Sequence, residues 1–176
     1  MSERIYSLTD LNEFHKRCCL GCFTNHDNKD IKEMWSVAQL FKNLNVYDVS
    51  YSEGDDPPDV EVTLNDTKYY FEHVECKTEN KRGNLGKTLK KSDLSVQDAL
   101  KNTILKKVQK NYESSKDFIL YIYFNYGFMN SVSVSDVTEL KSYVSNAPFR
   151  SIIITDQHQN YFFLKGDEIK QEWLGQ

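Results

Sequence analysis

Asp59-Val60-Glu61-Val62-Thr63-Leu64-Asn65-Asp66-Thr67-Lys68-Tyr69-Tyr70-Phe71-Glu72-His73-Val74-Glu75-Cys76-Lys77 spells two strands and the turn between them. Val60, Val62 and Leu64 alternate with Asp59, Glu61 and Thr63, the period-two pattern of a half-buried strand. Asn65-Asp66 is a two-residue link suited to a tight hairpin. Residues 67–77 follow as a second strand, rich in aromatic residues with a β-branched Val74. The hairpin carries Asp59 back beside the Glu75 end of its partner. Side chains two apart on a strand point the same way, so Glu75 and Lys77 share a face, their Cα atoms roughly 7 Å apart. His73 lies on that face too, as an aid to proton transfer or as an ordinary hydrogen-bonded histidine. Glu72 falls on the opposite face with Tyr70, Val74 and Cys76. An acid and a base at the end of an apolar strand are costly to bury unless they find partners.

Pro57-Pro58-Asp59, then fifteen residues, then Glu75-Cys76-Lys77 resembles the PD-(D/E)XK nuclease superfamily, over roughly residues 31–125. The resemblance implies an α/β fold with a restriction-endonuclease-like αβββαβ core, a mixed central sheet flanked by helices. It also implies a metal-dependent endonuclease that hydrolyses phosphodiester bonds, acts on DNA and leaves a 5′-phosphate. Asp59 and Glu75 are hard oxygen donors of the kind Mg²⁺ or Mn²⁺ takes, and the Cys76 carbonyl between the two functional side chains is a further candidate ligand. Lys77 would orient or help deprotonate a metal-activated water and stabilise the charge of the transition state. Many members of the superfamily add an acid from the helix before the first strand. Glu33 is the matching carboxylate here; its other reading is a first-turn Glu that complements the helix dipole.

The flanking sequence fits such a core. Residues 30–43 read as a helix with Ile31, Met34, Trp35, Ala38 and Phe41 or Lys42 as its stripe. Residues 45–51 read as a first strand, and 52–58 as turn chemistry, with Asp55 and Asp56 solvated. Glu61 is either an extra ligand or an exposed polar residue. Residues 95–112 read as a helix capped by Ser95, with Gln97 and Lys101 near its start. Residues 117–124 form a continuous apolar run, as in the buried centre of a sheet. A helix over 134–144, strands over 149–155 and 161–164, and a short helix over 167–174 complete the plan. The whole reads as one domain over 1–176, with an N-terminal helical segment (1–28), the core (29–165) and a C-terminal helix or tail (166–176).

Composition is that of an ordinary globular chain: 176 residues, 39% hydrophobic, 27% charged and a net charge of −4. No apolar run approaches a membrane span and no leader-like segment opens the chain, so a cytoplasmic location is expected. The net charge argues mildly against a nucleic-acid partner, but its distribution does not. Residues 77–110 hold ten basic and three acidic side chains, a local net charge of +7. Lys81, Arg82, Lys87, Lys90, Lys91 and Lys101 are the candidate phosphate contacts; a solvated, lysine-rich face is the plainer reading. Glu79-x-Lys81 is a second Glu-x-Lys in a polar run. His15-x3-Cys19-x2-Cys22-x3-His26 has zinc-like spacing. The competing reading of this stretch is a helix starting after Ser7, with Leu8, Leu11, His15, Cys18, Cys19 and Cys22 on one face. A double-strand cut would require two subunits, as in a homodimer, or two sequential events. The non-enzymatic alternative is an inactive nuclease-fold module that binds nucleic acid or a protein partner.

Overall fold

The β3–β4 hairpin is the axis of the molecule, a computed structural model that describes residues 4–17, 29–55, 57–76, 95–110, 117–124, 134–155 and 160–175. β3 (Val60–Leu64) and β4 (Thr67–Cys76) pair antiparallel, Val60 opposite Phe71 and Leu64 opposite Thr67. Asn65 and Asp66 both take positive φ, 49° and 60°, as a two-residue turn matched to strand twist requires. The expected alternation holds, for Val60, Val62 and Leu64 are buried.

Around this hairpin the strands follow in chain order across one seven-stranded mixed sheet. β1 (Ile5–Ser7) and β2 (Ser50–Glu53) extend it antiparallel on the β3 side. On the other side β4 pairs parallel with β5 (Phe118–Phe124), and β5 parallel with β6 (Ser151–Thr155). β7 (Tyr161–Lys165) closes the edge antiparallel. The parallel pairs require crossovers, supplied by α3 (Val96–Gln109) and α4 (Val134–Val144). α1 (Leu8–Arg17) and α2 (Lys29–Asn43) precede β2, and α5 (Ile169–Leu174) ends the chain. From α2 to β5 the element order is therefore αβββαβ.

Two cores lie on the two faces. One packs Leu11 of α1, Met34, Val37 and Phe41 of α2 and Trp173 of α5 on Val60, Phe71, Ile119 and Tyr121. The other packs Leu100 and Ile104 of α3 and Leu140 of α4 on Leu120, Ile122, Ile152 and Ile154. Successive residues of β5 thus point into different cores, which is why that strand reads as an unbroken apolar run.

Two sequence expectations need correction. The first strand of the core starts at Ser50, not Asn45, because Asn45 and Asp48 take positive φ (55° and 61°) and break the extended run; Val46 and Val49 are still buried. The short β1 had no counterpart in the sequence reading. The cap at Ser7 is present: the backbone N–H of Asp10 donates to its Oγ (3.2 Å), and Asp10 Oδ2 accepts from the Ser7 N–H (2.8 Å). The Cys18, Cys19, Cys22 and His26 positions lie outside the described residues. His15 stacks on Trp35, ring centroids 4.2 Å apart.

Candidate active site at the open edge of the central strand

β4 outruns β3. Pairing ends at Val60–Phe71, and the last five residues of β4 keep only β5 as a neighbour. Asp59 sits where the ladder stops. Its backbone N–H donates to the Phe71 carbonyl (3.0 Å), and its Oδ2 accepts from the His73 N–H (2.8 Å). A carboxylate here takes the place of a strand carbonyl, which satisfies a buried donor and holds the acid at the sheet edge. The turn before it is closed by the Gly54 N–H donating to the Asp59 carbonyl (3.2 Å). A Cβ on Gly54 would lie 2.1 Å from the Pro58 carbonyl oxygen, so only glycine fits this close approach.

On one face α2 supplies Glu33, 7% exposed and so not an ordinary first-turn surface acid. Lys29 Nζ stands 3.6 Å from Glu33 Oε1 and 3.5 Å from Asp59 Oδ1, tying the two carboxylates together. His73 Nδ1 is 3.6 Å from the same Glu33 oxygen. The His73 ring is sandwiched by Tyr123 and Tyr121, centroids at 4.4 and 5.5 Å. Its Nε2 is buried with no hydrogen-bond partner among the described residues.

On the other face Glu72 is 2% exposed and forms an ion pair with Lys107 of α3. Both faces open into one cleft of about 410 Å³ around the strand edge, lined by Glu33, Asp59, Glu72, His73 and Glu75 and by Lys29, Lys32, Lys107 and Lys110. Burial raises the Asp59 carboxyl above the usual aspartate value, and the negative charges of Glu33 and then Glu72 raise it further; the His73 N–H and Lys29 oppose the rise. The charge of Glu75 is felt instead at Tyr123 and at the Cys76 thiol, which burial foremost pushes up to about 11.

Asp59, Glu75 and Glu33 therefore share the cleft, as the sequence reading expects. Lys77, Lys81, Arg82, Lys87, Lys90 and Lys91 lie outside the described residues, as does Glu79. Lys101 and Gln97 turn to α4, where Lys101 Nζ is 2.7 Å from Glu139 and Gln97 bonds the same carboxylate; neither lines the cleft. Glu61 pairs with Lys68 at 2.8 Å. The Cys76 side chain belongs to the α3 core, its sulfur 3.6 Å from Thr103 Oγ1.

Glu72 and Lys107 are the site residues that the sequence reading missed. The signal was there in both cases. Glu72 interrupts the face of Tyr70, Val74 and Cys76, and Lys107 interrupts the helical stripe of Leu100 and Ile104. A charge set into an apolar stripe at either of two facing positions marks a buried pair.

Among the described residues no three His, Cys, Asp or Glu side chains form a close metal-holding cluster. That excludes an all-protein cage built from them but not a Mg²⁺ type of site, which typically uses one or two carboxylates and completes its shell with water and substrate phosphate. Comparison with protein-family models, curated proteins and solved structures gives no significant match.

Proposed function

We propose that this chain is a metal-dependent nuclease, with DNA as its substrate and Mg²⁺ or Mn²⁺ as its cofactor. The observation that carries the reading is the setting of Asp59. It is a buried carboxylate, raised by two neighbouring acids, in a cleft that also holds Glu75 and four lysines. Acids at the centre and cations around them suit a phosphodiester bridged to the protein through a divalent ion. The αβββαβ element order and the position of Asp59 just before β3 and of Glu75 on the neighbouring β4 support a restriction-endonuclease-like core.

Asp59 fits a hard cation because its carboxylate is held rigidly by the His73 N–H and is destabilised by Glu33 and Glu72. Two carboxylates about 4 Å apart repel by about 4 kcal/mol in a partly screened site, and a divalent cation relieves that repulsion. Asp59 with Glu75, Glu33 or both would hold it. When bound, the ion supplies a Lewis acid and strengthens water as a nucleophile. The chain's own residues do the rest. Lys29, Lys32 and Lys110 draw the phosphate in, and Glu33 and His73, 3.6 Å apart, order the carboxylate face. Water oxygen bonds to phosphorus, the P–O3′ bond breaks, and the proton released by water balances the alkoxide that leaves.

Purified protein incubated with supercoiled plasmid should nick it in Mn²⁺ or Mg²⁺ and not in EDTA. A cation held at 100 times its Kd should add about 2.7 kcal/mol of stability, or about 5–10 °C in Tm for a domain this size. Intact plasmid together with a flat Tm across millimolar Mn²⁺ would sink the reading. The second reading is a nucleic-acid-binding module without catalysis. It is favoured by Lys29 and Lys107, which already stand against Asp59, Glu33 and Glu72. Retention of DNA by the protein in EDTA, without cleavage in Mn²⁺, would select it.

A further inference from the structure

Resting on the nuclease reading, we propose that His73 is the positioning residue of the candidate metal site. It holds Asp59 through its main chain and Glu33 through its ring, and it carries no proton for the reaction. Two contacts leave from this one residue. Its backbone N–H donates to Asp59 Oδ2 (2.8 Å), and its Nδ1 stands 3.6 Å from Glu33 Oε1. The two acids come from separate parts of the chain, Asp59 from just before β3 and Glu33 from α2. Lys29 also touches both, but from a side chain 57% exposed, whereas that of His73 is 1% exposed.

The ring is clamped. Tyr123 and Tyr121 sandwich it, tilted 26° and 27° to its plane. Both clamps are tied to α2, the helix that carries Glu33. Lys32 Nζ lies 5.6 Å from the centroid of the Tyr123 ring, and the Tyr121 hydroxyl donates to the Ser36 carbonyl (3.3 Å). The stack thus registers Glu33 against β4 and β5. It also limits what the imidazole can do. Nδ1 faces a carboxylate, an acceptor, while Nε2 is buried with no hydrogen-bond partner among the described residues. A buried N–H without an acceptor is costly, so the proton belongs on Nδ1 and Nε2 keeps its lone pair. A nitrogen that donates to Glu33 orients that carboxylate, as the hydrogen bonds behind a metal ligand do. The gap is roughly half an ångström longer than a hydrogen bond. Lys29 Nζ stands equally far from the same oxygen; once it turns to phosphate, Nδ1 has that oxygen to itself. Nε2, shut away from solvent, is out of reach of the reacting water.

The test is run on the full chain by NMR of ¹⁵N-labelled imidazole in EDTA, Mn²⁺ binding by electron paramagnetic resonance, and plasmid cleavage. The His73 signals, assigned by their loss in H73N, should show a protonated Nδ1 that shifts in E33Q. A bare Nδ1, or one that E33Q leaves unmoved, would overturn the proposal whether or not metal binds. His73→Phe keeps the stack and the main-chain N–H to Asp59 and removes the contact with Glu33. It should weaken Mn²⁺ binding by about tenfold or more. In an E33Q background it should weaken binding no further, because one contact cannot be lost twice. Equal losses in both backgrounds would overturn the proposal. His73→Asn puts an amide N–H near the place of Nδ1. It should recover most of the Mn²⁺ affinity and cleavage that H73F loses, although an amide is no base. Mn²⁺ affinity recovered in H73N, with cleavage as low as in H73F, would make the imidazole a proton carrier and overturn the positioning role. If H73F fails to fold, the NMR comparison and H73N decide alone. His73 coupled to Glu33 in Mn²⁺ binding, with the plasmid left intact, would overturn the nuclease reading and leave the assignment of His73 standing.

Discussion

Asp59 works against the stability of the fold that holds it. Its folded pKa is raised above 3.8, chiefly by burial and then by Glu33 and Glu72. Between the unfolded and folded pKa values the native state therefore binds more protons than the unfolded chain, and stability falls as pH rises through that window. At neutral pH the ionised carboxylate is a net cost. Asp59→Asn keeps an acceptor for the His73 N–H and removes the charge. In EDTA at neutral pH it should raise Tm by a few degrees, the scale of the 0.5–2 kcal/mol that relieved functional strain commonly returns, about 2–4 °C per kcal/mol. The gain should shrink as pH falls through the raised folded pKa toward the unfolded one, as the wild-type carboxyl takes up its proton. Calorimetry at neutral pH and below that window checks this, and a variant less stable than wild type at both would show that the charge is not the cost. Asp59 and Glu33 were legible as residues because acids beside an apolar hairpin and on an apolar helix stand out. Glu72 was legible only as an anomaly on its face, since its meaning depends on a lysine thirty-five positions away.

At the scale of elements, the β3–β4 hairpin decides which residues meet. Its two-residue link leaves no slack, so register follows from the turn. Asp66 pays a conformational cost at φ 60° that glycine would not. Asp66→Gly should raise stability by about 0.4–1 kcal/mol in urea unfolding, with the Mn²⁺ response unchanged. A loss of that response would mean that the turn residue does more than shape the link. This element was readable from Val60 to Cys76, because alternation and turn chemistry act within a few residues. The strand before it was misplaced: Asn45 and Asp48 bend the chain within an alternating pattern, and alternation alone does not reveal a left-handed residue.

For the molecule as a whole, the two cores make one rigid frame for the cleft. Trp173 of α5 binds the end of the chain into the first core, packed on Phe41 (4.8 Å), Tyr69 (5.9 Å), Phe71 (6.1 Å) and Phe163 (6.2 Å) between ring centroids. Trp173→Ala should cost about 3–5 kcal/mol, read as a lower urea midpoint at unchanged slope. Trp173→Phe should cost less, because the indole N–H is buried with no hydrogen-bond partner among the described residues. A loss under 1 kcal/mol in the alanine variant would mean that α5 is not integral to the core.

What the sequence determined by itself is local: the helices, the hairpin with its register, the unbroken apolar centre at β5, and the presence of acids near one strand end. Each follows from periodicity, capping or turn preference, which act over a few neighbouring residues. Tertiary structure alone decided which face of β4 meets the lysines of α3, and that Lys101 turns to Glu139 while Lys107 turns to Glu72. The reason is physical. A helix that crosses a sheet chooses its rotation by burying its apolar stripe as a whole, and the charges on it go wherever that burial carries them.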